Sequence, residues 1–209
     1  MAGPQRYTFA NASTPVPVMA TSLRRTFVSL DDYFALDRDA LQRCEYRNGE
    51  VFAMGGAQPE HNTICVNLLT ELRSGLRERG CRPFPSDQRV KVNAGSPYLY
   101  PDLSVACEPR YLTINGLRTL TNPVLIIEVL SPSTAADDRG AKFLQYQTIE
   151  TLTDYVLVDS TAMAVLHYRR HGSWWQPLLI EDPGGVLALD TLGISLPLAA
   201  IYLDSGVEA

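Results

Sequence analysis

Between Pro123 and Leu130 the chain reads Pro-Val-Leu-Ile-Ile-Glu-Val-Leu, a nearly continuous apolar run holding a single acid. A short run of this kind, bounded by Pro123 and by Ser131-Pro132, predicts a central strand covered on both faces. Glu128 sits inside it. Desolvating an unpaired carboxylate costs several kcal/mol, so the position demands a metal, a cation or a proton as compensation. The plainer alternative is a strand-end Glu that emerges into solvent or pairs with an Arg.

The rest of the chain supplies a domain able to bury such a strand. Its 209 residues suit one domain, and a hydrophobic share of 45% with 20% charged residues excludes wholesale disorder. No apolar run approaches the ~20 residues of a membrane span, so a soluble protein without membrane partners is expected. The four cysteines (Cys44, Cys65, Cys81, Cys107) are scattered, with no pair two residues apart. That pattern argues against a zinc ribbon or disulfide scaffold and predicts free thiols in a reducing cytoplasm.

Residues 1–25, rich in Ala, Ser, Thr and Pro, predict a flexible leader, with Met1 or Met19 as the start. Residues 26–209 are expected to form one domain. Ser29 and Asp32 form a capping box for a short helix, and Asn48-Gly49 between alternating runs predicts a hairpin over residues 44–54. Ile64, Leu68, Leu72 and Leu76 give a helical stripe over 61–79, closed by Gly80. Residues 84–93 alternate as a half-buried strand with Val90 and Val92 facing in and Arg89 and Lys91 facing out, and 101–107 follow as another strand. A helix over 139–149, three strands over 155–159, 164–169 and 174–180, and edge strands in an apolar tail complete the pattern. The expected class is α/β (α+β): a mixed central sheet flanked by helices, with an N-terminal hairpin and C-terminal antiparallel strands.

Two further residues carry candidate chemistry. Asp102 follows Pro101 at a strand entry, where plain turn chemistry is the alternative; paired with Glu128 it offers the carboxylates that Mg²⁺ requires. Lys142 is one of only two lysines beside sixteen arginines, and on the expected helix it lies at spacing four from Asp138 and from Tyr146. That spacing equally describes an ordinary surface salt bridge. The net charge of −5 does not suggest a protein that coats polyanions. From His61 to Lys91, six basic residues face three acids, which fits either a nucleic-acid-contacting face or a solvated helix.

Pro101-Asp102 and, twenty-six residues on, Glu128-Val129-Leu130 resemble the PD-(D/E)XK nuclease signature. More narrowly, Glu45-Tyr46-Arg47-Asn48-Gly49-Glu50, His61, Tyr100-Pro101-Asp102, Ile127-Glu128-Val129-Leu130-Ser131-Pro132-Ser133-Thr134, and Asp138 with Lys142 and Tyr146 resemble the Uma-type family of restriction-endonuclease-like proteins. The likeness runs from about residue 27 onward, through Asp154-Tyr155-Val156-Leu157-Val158-Asp159. It departs at Leu130, where the superfamily places its lysine; the resemblance implies that Lys142 supplies that cation from the following helix. It also implies Mg²⁺ (or Mn²⁺) held by Asp102, Glu128 and the Val129 carbonyl, with Asp102, Glu128 and Lys142 catalytic and Glu45, His61, Asp138 and Tyr146 supporting. Glu45 is then an extra metal ligand or a solvent-facing strand residue, and His61 a cap or a contact to the scissile phosphate.

The implied activity is Mg²⁺-dependent endonucleolytic hydrolysis of nucleic acid, most naturally DNA, by a homodimer. The alternative is a catalytically inactive nuclease fold that binds nucleic acid or protein. A serine hydrolase built on Ser131 lacks the Gly-x-Ser-x-Gly elbow, and Pro132 has no N–H for an oxyanion hole. A glycosidase using Asp102 and Glu128 would want sugar-stacking aromatics, but Trp174-Trp175 lies in an expected late hairpin.

Overall fold

A computed structural model describes residues 27–39, 43–93, 95–132 and 134–208. The expected leader, Met19 and Ser133 lie outside the described residues. The apolar run becomes β9 (Leu125–Leu130), and all six of its residues are buried. On one side it pairs in parallel with β10 (Asp154–Asp159), on the other antiparallel with β6 (Leu103–Cys107). Outward from these lie β11 (Val165–His171) and β12 (Trp174–Ile180) at one edge and β3 (Cys81–Pro85) at the other. The resulting six-stranded order is β12-β11-β10-β9-β6-β3.

One face of this sheet is covered by α2 (Pro59–Gly75), whose Ile64, Leu68 and Leu72 pack with Val105, Ile127, Val129 and Val156. Pro59 opens that helix where its missing N–H costs nothing. On the opposite face, β9 and β10 are joined by α3 (Ala135–Asp137), a π-helical turn (Asp138–Lys142) and α4 (Phe143–Tyr146). Tyr146 enters a second core with Ile126, Leu130, Tyr155 and Leu157. The helix expected over 139–149 thus begins and ends earlier, over 135–146, and carries a wide turn at its centre.

The remaining strands form a second six-stranded sheet, which the sequence pattern did not separate from the first. It contains β1 (Cys44–Arg47), β2 (Glu50–Ala53), β4 (Val90–Lys91), β5 (Tyr98–Leu99), β7 (Tyr111–Ile114) and β8 (Leu117–Leu120), in the order β2-β1-β5-β4-β8-β7. The β1–β2 hairpin turns at Asn48 and Gly49, whose φ of 50° and 91° match the positive φ pair of the tightest hairpin turn. The run expected as one strand over 84–93 is divided between β3 and β4, because the chain turns through Ser86, Asp87 and Gln88 from one sheet to the other. α1 (Leu30–Asp39) packs Tyr33 and Phe34 against Tyr46 and Tyr98 of the second sheet. Ser29 caps α1 as expected, since Asp32 N–H donates to Ser29 Oγ at 3.2 Å. The Asp32 carboxylate accepts from the Ser29 hydroxyl at 2.7 Å, where a full capping box would use the Ser29 N–H. The tail forms β13 (Val186–Leu189) paired with β14 (Ile194–Pro197), followed by α5 (Leu198–Ile201).

Two further expectations are overturned. Cys81 and Cys107 are not free thiols but form a disulfide, because the β3–β6 register places them opposite one another. Arg89 does not face solvent; it is buried at 2% exposure under α1. There its guanidinium pairs with buried Asp37 at 2.7 Å, donates to Thr119 Oγ1 at 2.9 Å and stacks over Phe34. Alternation alone assigns Arg89 to the side opposite Val90; it cannot show that a helix covers that side too. Among the described residues, no helix is long and apolar enough to cross a membrane.

Candidate active site

Glu128 is 2% exposed and its carboxylate is fully engaged. Oε1 accepts from Lys142 Nζ at 3.1 Å and from Tyr146 Oη at 3.2 Å, and Oε2 accepts the Asp102 backbone N–H at 3.2 Å. Asp102 returns the contact, because its Oδ2 accepts the Val129 N–H at 2.8 Å. Each acid is therefore anchored on the backbone beside the other. The π-helical turn carries Lys142 inward with its stem buried. Its ammonium lies 3.1 Å from Asp138 Oδ1 and 3.5 Å from Glu45 Oε1, besides Glu128.

Glu45 reaches this point from the other sheet. It is 4% exposed, so the solvent-facing alternative does not hold. Its Oε1 accepts the Tyr100 N–H at 3.1 Å, and its Oε2 lies 2.5 Å from Arg47, which also pairs with Asp137 at 2.7 Å. His61, in the first turns of α2, sets Nε2 3.2 Å from Asp102 Oδ2 and Nδ1 3.6 Å from Cys65 Sγ. A cleft of about 480 Å³ opens beside His61, lined also by Gln58, Ser131, Pro132, Ser160 and Thr161. Ser131 Oγ lies 3.1 Å from Thr134 Oγ1 in the loop after β9.

Burial and charge together set the protonation tendencies here. Burial, opposed by Lys142 and reinforced by Asp102, Asp138 and Glu45, raises the Glu128 carboxyl well above the ordinary range. Burial likewise raises Asp138, against the pull of Lys142. Burial also works against the Lys142 ammonium, but Glu128, Glu45 and Asp138 outweigh it and hold the group more firmly protonated than a free lysine. His61 is raised on balance: desolvation lowers it, while the hydrogen bond and charge of Asp102 more than compensate. Burial pushes the Cys65 thiol up, with Asp102 and Glu128 adding to the effect.

Asp102, Glu128, Val129, Lys142, Glu45, His61, Asp138 and Tyr146 thus meet in one network at the junction of the two sheets and the β9–β10 crossover. Arg47 and Cys65 belong to it as well and escaped the sequence reading. Arg47 lies two residues from Glu45 on one strand, and Cys65 four residues from His61 on one helix; both spacings were available as signals. The basic run does not join them. Arg73, Arg77 and Arg79 are exposed beyond the middle of α2, so Arg73 is displaced from His61 by about 18 Å along the axis. Trp174 is exposed, while Trp175 packs on Phe143.

The chemistry of the donors fits a hard divalent ion. Asp102, Glu128 and a backbone carbonyl offer oxygen ligands, and three carboxylates, Glu128, Asp138 and Glu45, crowd around Lys142. The architecture and this acid–lysine cluster define a restriction-endonuclease-like protein. Residues 30–199 match the Uma2 family, described as "Putative restriction endonuclease", and the chain belongs to that family. It is 34% identical over 177 residues to "Uncharacterized protein slr1290" of Synechocystis sp., covering 84% of this chain and 91% of that one. A second Synechocystis relative, "Uncharacterized protein sll1609", is 36% identical over 141 residues, 68% of this chain and 80% of the other. A crystal structure titled as "a putative nuclease belonging to DUF820" from Anabaena variabilis has the same fold, with a TM-score of 0.69 at 20% identity, covering 84% of this chain and 97% of that one.

Proposed function

We propose that the protein is a divalent-metal-dependent endonuclease that hydrolyses phosphodiester bonds, with DNA as substrate. The observation that carries this reading is the double engagement of Glu128: one carboxylate oxygen meets the Asp102 backbone and the other the Lys142 ammonium, inside a strand that otherwise excludes charge. An acid held this way without function would be an expensive core residue, since removing an ion pair in favour of apolar packing is often neutral or stabilising.

In this reading Asp102, Glu128 and the Val129 carbonyl hold Mg²⁺ or Mn²⁺. When bound, such an ion lowers the pKa of a water and polarises a phosphoryl oxygen. Lys142 presents a fixed positive charge toward the negative charge that develops on the phosphoryl group. Glu45 and Asp138 hold the ammonium in place, and Tyr146 orients the Glu128 carboxylate. His61, at the wall of the cleft, contacts the scissile phosphate in this reading. Cutting both strands calls for two active sites, so the working form is proposed to be a homodimer; light scattering that finds a monomer under cleavage conditions rejects that part.

Cleavage of supercoiled plasmid with Mg²⁺ or Mn²⁺ tests the reading, with chelator as the blank. Asp102→Ala and Lys142→Ala are each expected to lower the rate at least a hundredfold. Activity that survives both substitutions places the chemistry elsewhere. Retained DNA binding without metal-dependent cleavage by the wild type favours the inactive binding module.

A further inference from the structure

His61, Cys65 and Asp102 form a second set of donors beside the carboxylate pair. One ligand atom from each lies within 4.8 Å of the other two, and all three residues are partly buried. The set differs in kind from an all-oxygen site: it combines a soft sulfur, an imidazole nitrogen and a carboxylate. Thiolate and imidazole together select zinc-like ions over magnesium. The separation of His61 Nδ1 and Cys65 Sγ is 3.6 Å. Two ligands on one tetrahedral Zn²⁺, with Zn–N of about 2.0–2.1 Å and Zn–S of about 2.3 Å, stand roughly 3.6 Å apart. The helix produces that spacing by itself, because positions 61 and 65 lie one turn apart on α2.

The arrangement also resembles a cysteine nucleophile with its histidine and acid, but it does not suit that role. Cys65 points from the second turn of a packed helix, and its thiol is stabilised rather than its thiolate. A metal ion, by contrast, can displace the thiol proton. The cleft at His61 gives an ion a route in and leaves room for a water as fourth ligand.

We propose that His61, Cys65 and Asp102 form a binding site for Zn²⁺ or another thiophilic divalent ion. Binding replaces the Cys65 S–H bond with an S–metal bond and releases that proton to solvent, so affinity rises with pH. Asp102 is common to this site and to the carboxylate pair. Zn²⁺ therefore competes with Mg²⁺ for one ligand and inhibits cleavage, a consequence that rests on the nuclease reading; the binding itself does not.

Co²⁺ added to the full-length protein serves as a spectroscopic probe. A cobalt–thiolate charge-transfer band in the near ultraviolet is expected, lost on adding one equivalent of Zn²⁺, absent in Cys65→Ala and retained in Cys44→Ala. Calorimetry is expected to show Zn²⁺ binding weakened at least tenfold in Cys65→Ala and in His61→Ala. As a measurement on the unaltered chain, Zn²⁺ should slow alkylation of Cys65 by iodoacetamide, with peptide mapping as the readout, and leave Cys44 unaffected. Absence of the band in the wild type, its survival in Cys65→Ala, or equal alkylation with and without Zn²⁺ overturns the proposal. None of these readouts requires cleavage, so a protein that takes up zinc but, freed of zinc, cuts nothing with Mg²⁺ or Mn²⁺ refutes the nuclease reading and leaves this one standing.

Discussion

Replacing Lys142 with methionine keeps an unbranched side chain, one atom shorter, and removes its charge. The ammonium lies 3.1 Å from Glu128 and 3.1 Å from Asp138, with Glu45 at 3.5 Å. At an effective dielectric of about 20, each of the two shorter contacts is worth roughly 5 kcal/mol of gross Coulomb energy. Desolvation of the ions offsets most of that sum. What survives removal of one partner is the penalty of leaving buried carboxylates unpaired, about 3–5 kcal/mol. Against a typical total of about 5–15 kcal/mol, Lys142→Met should remain folded but lose a large part of its margin. Urea unfolding followed by circular dichroism at neutral pH measures the loss. The double variant Lys142→Met/Glu128→Gln removes the charge most deeply buried in the cluster and should recover about half of the deficit. A loss below about 1 kcal/mol in the single variant, or no recovery in the double, refutes the claim that the ammonium compensates Glu128.

Arg89→Met leaves Asp37 buried without its cation and should cost about 3–5 kcal/mol in the same assay, whereas a loss typical of a surface residue rejects the buried pair. His61 titrates above its ordinary 6.5 because of Asp102, so its stabilising contribution is complete below 6.5 and is lost as pH rises through the raised value. Asp102→Asn should flatten that part of the stability profile and lower the His61 pKa seen by NMR; an unmoved pKa contradicts the contact. The Cys81–Cys107 bond spans 26 positions of sequence, and reducing it should cost about 3.5 kcal/mol in the chain-entropy account. A urea midpoint insensitive to dithiothreitol, or a Cys81→Ser/Cys107→Ser variant that still responds to it, contradicts the bond.

The central strand and its acid were legible because burial on both faces writes a contiguous apolar string, and one charge within it stands out. Asp102 and Lys142 were legible only beside Glu128, since neither Pro-Asp nor a lysine at spacing four means much alone. The two-sheet division was not legible. It depends on the chain leaving β3 at Pro85 and re-entering another sheet at Val90, a turn that leaves the alternating pattern intact. The same limit hid the Arg89–Asp37 pair, whose partners are 52 residues apart. The disulfide escaped for a similar reason, because cysteine spacing carries no strand register. Arg47 and Cys65 each sit at a regular spacing from a candidate residue, Glu45 and His61, so their positions were legible although spacing alone does not show the contacts they make.

The wide turn over Asp138–Lys142 makes helix phase a functional variable. An extra residue per turn displaces everything after it by about 100° relative to a regular α-helix. Lys142 and Tyr146 both point at Glu128 in this phase. Insertions or deletions between β9 and that turn therefore act as rotations: they can swing the lysine away from the acids while leaving every strand in place.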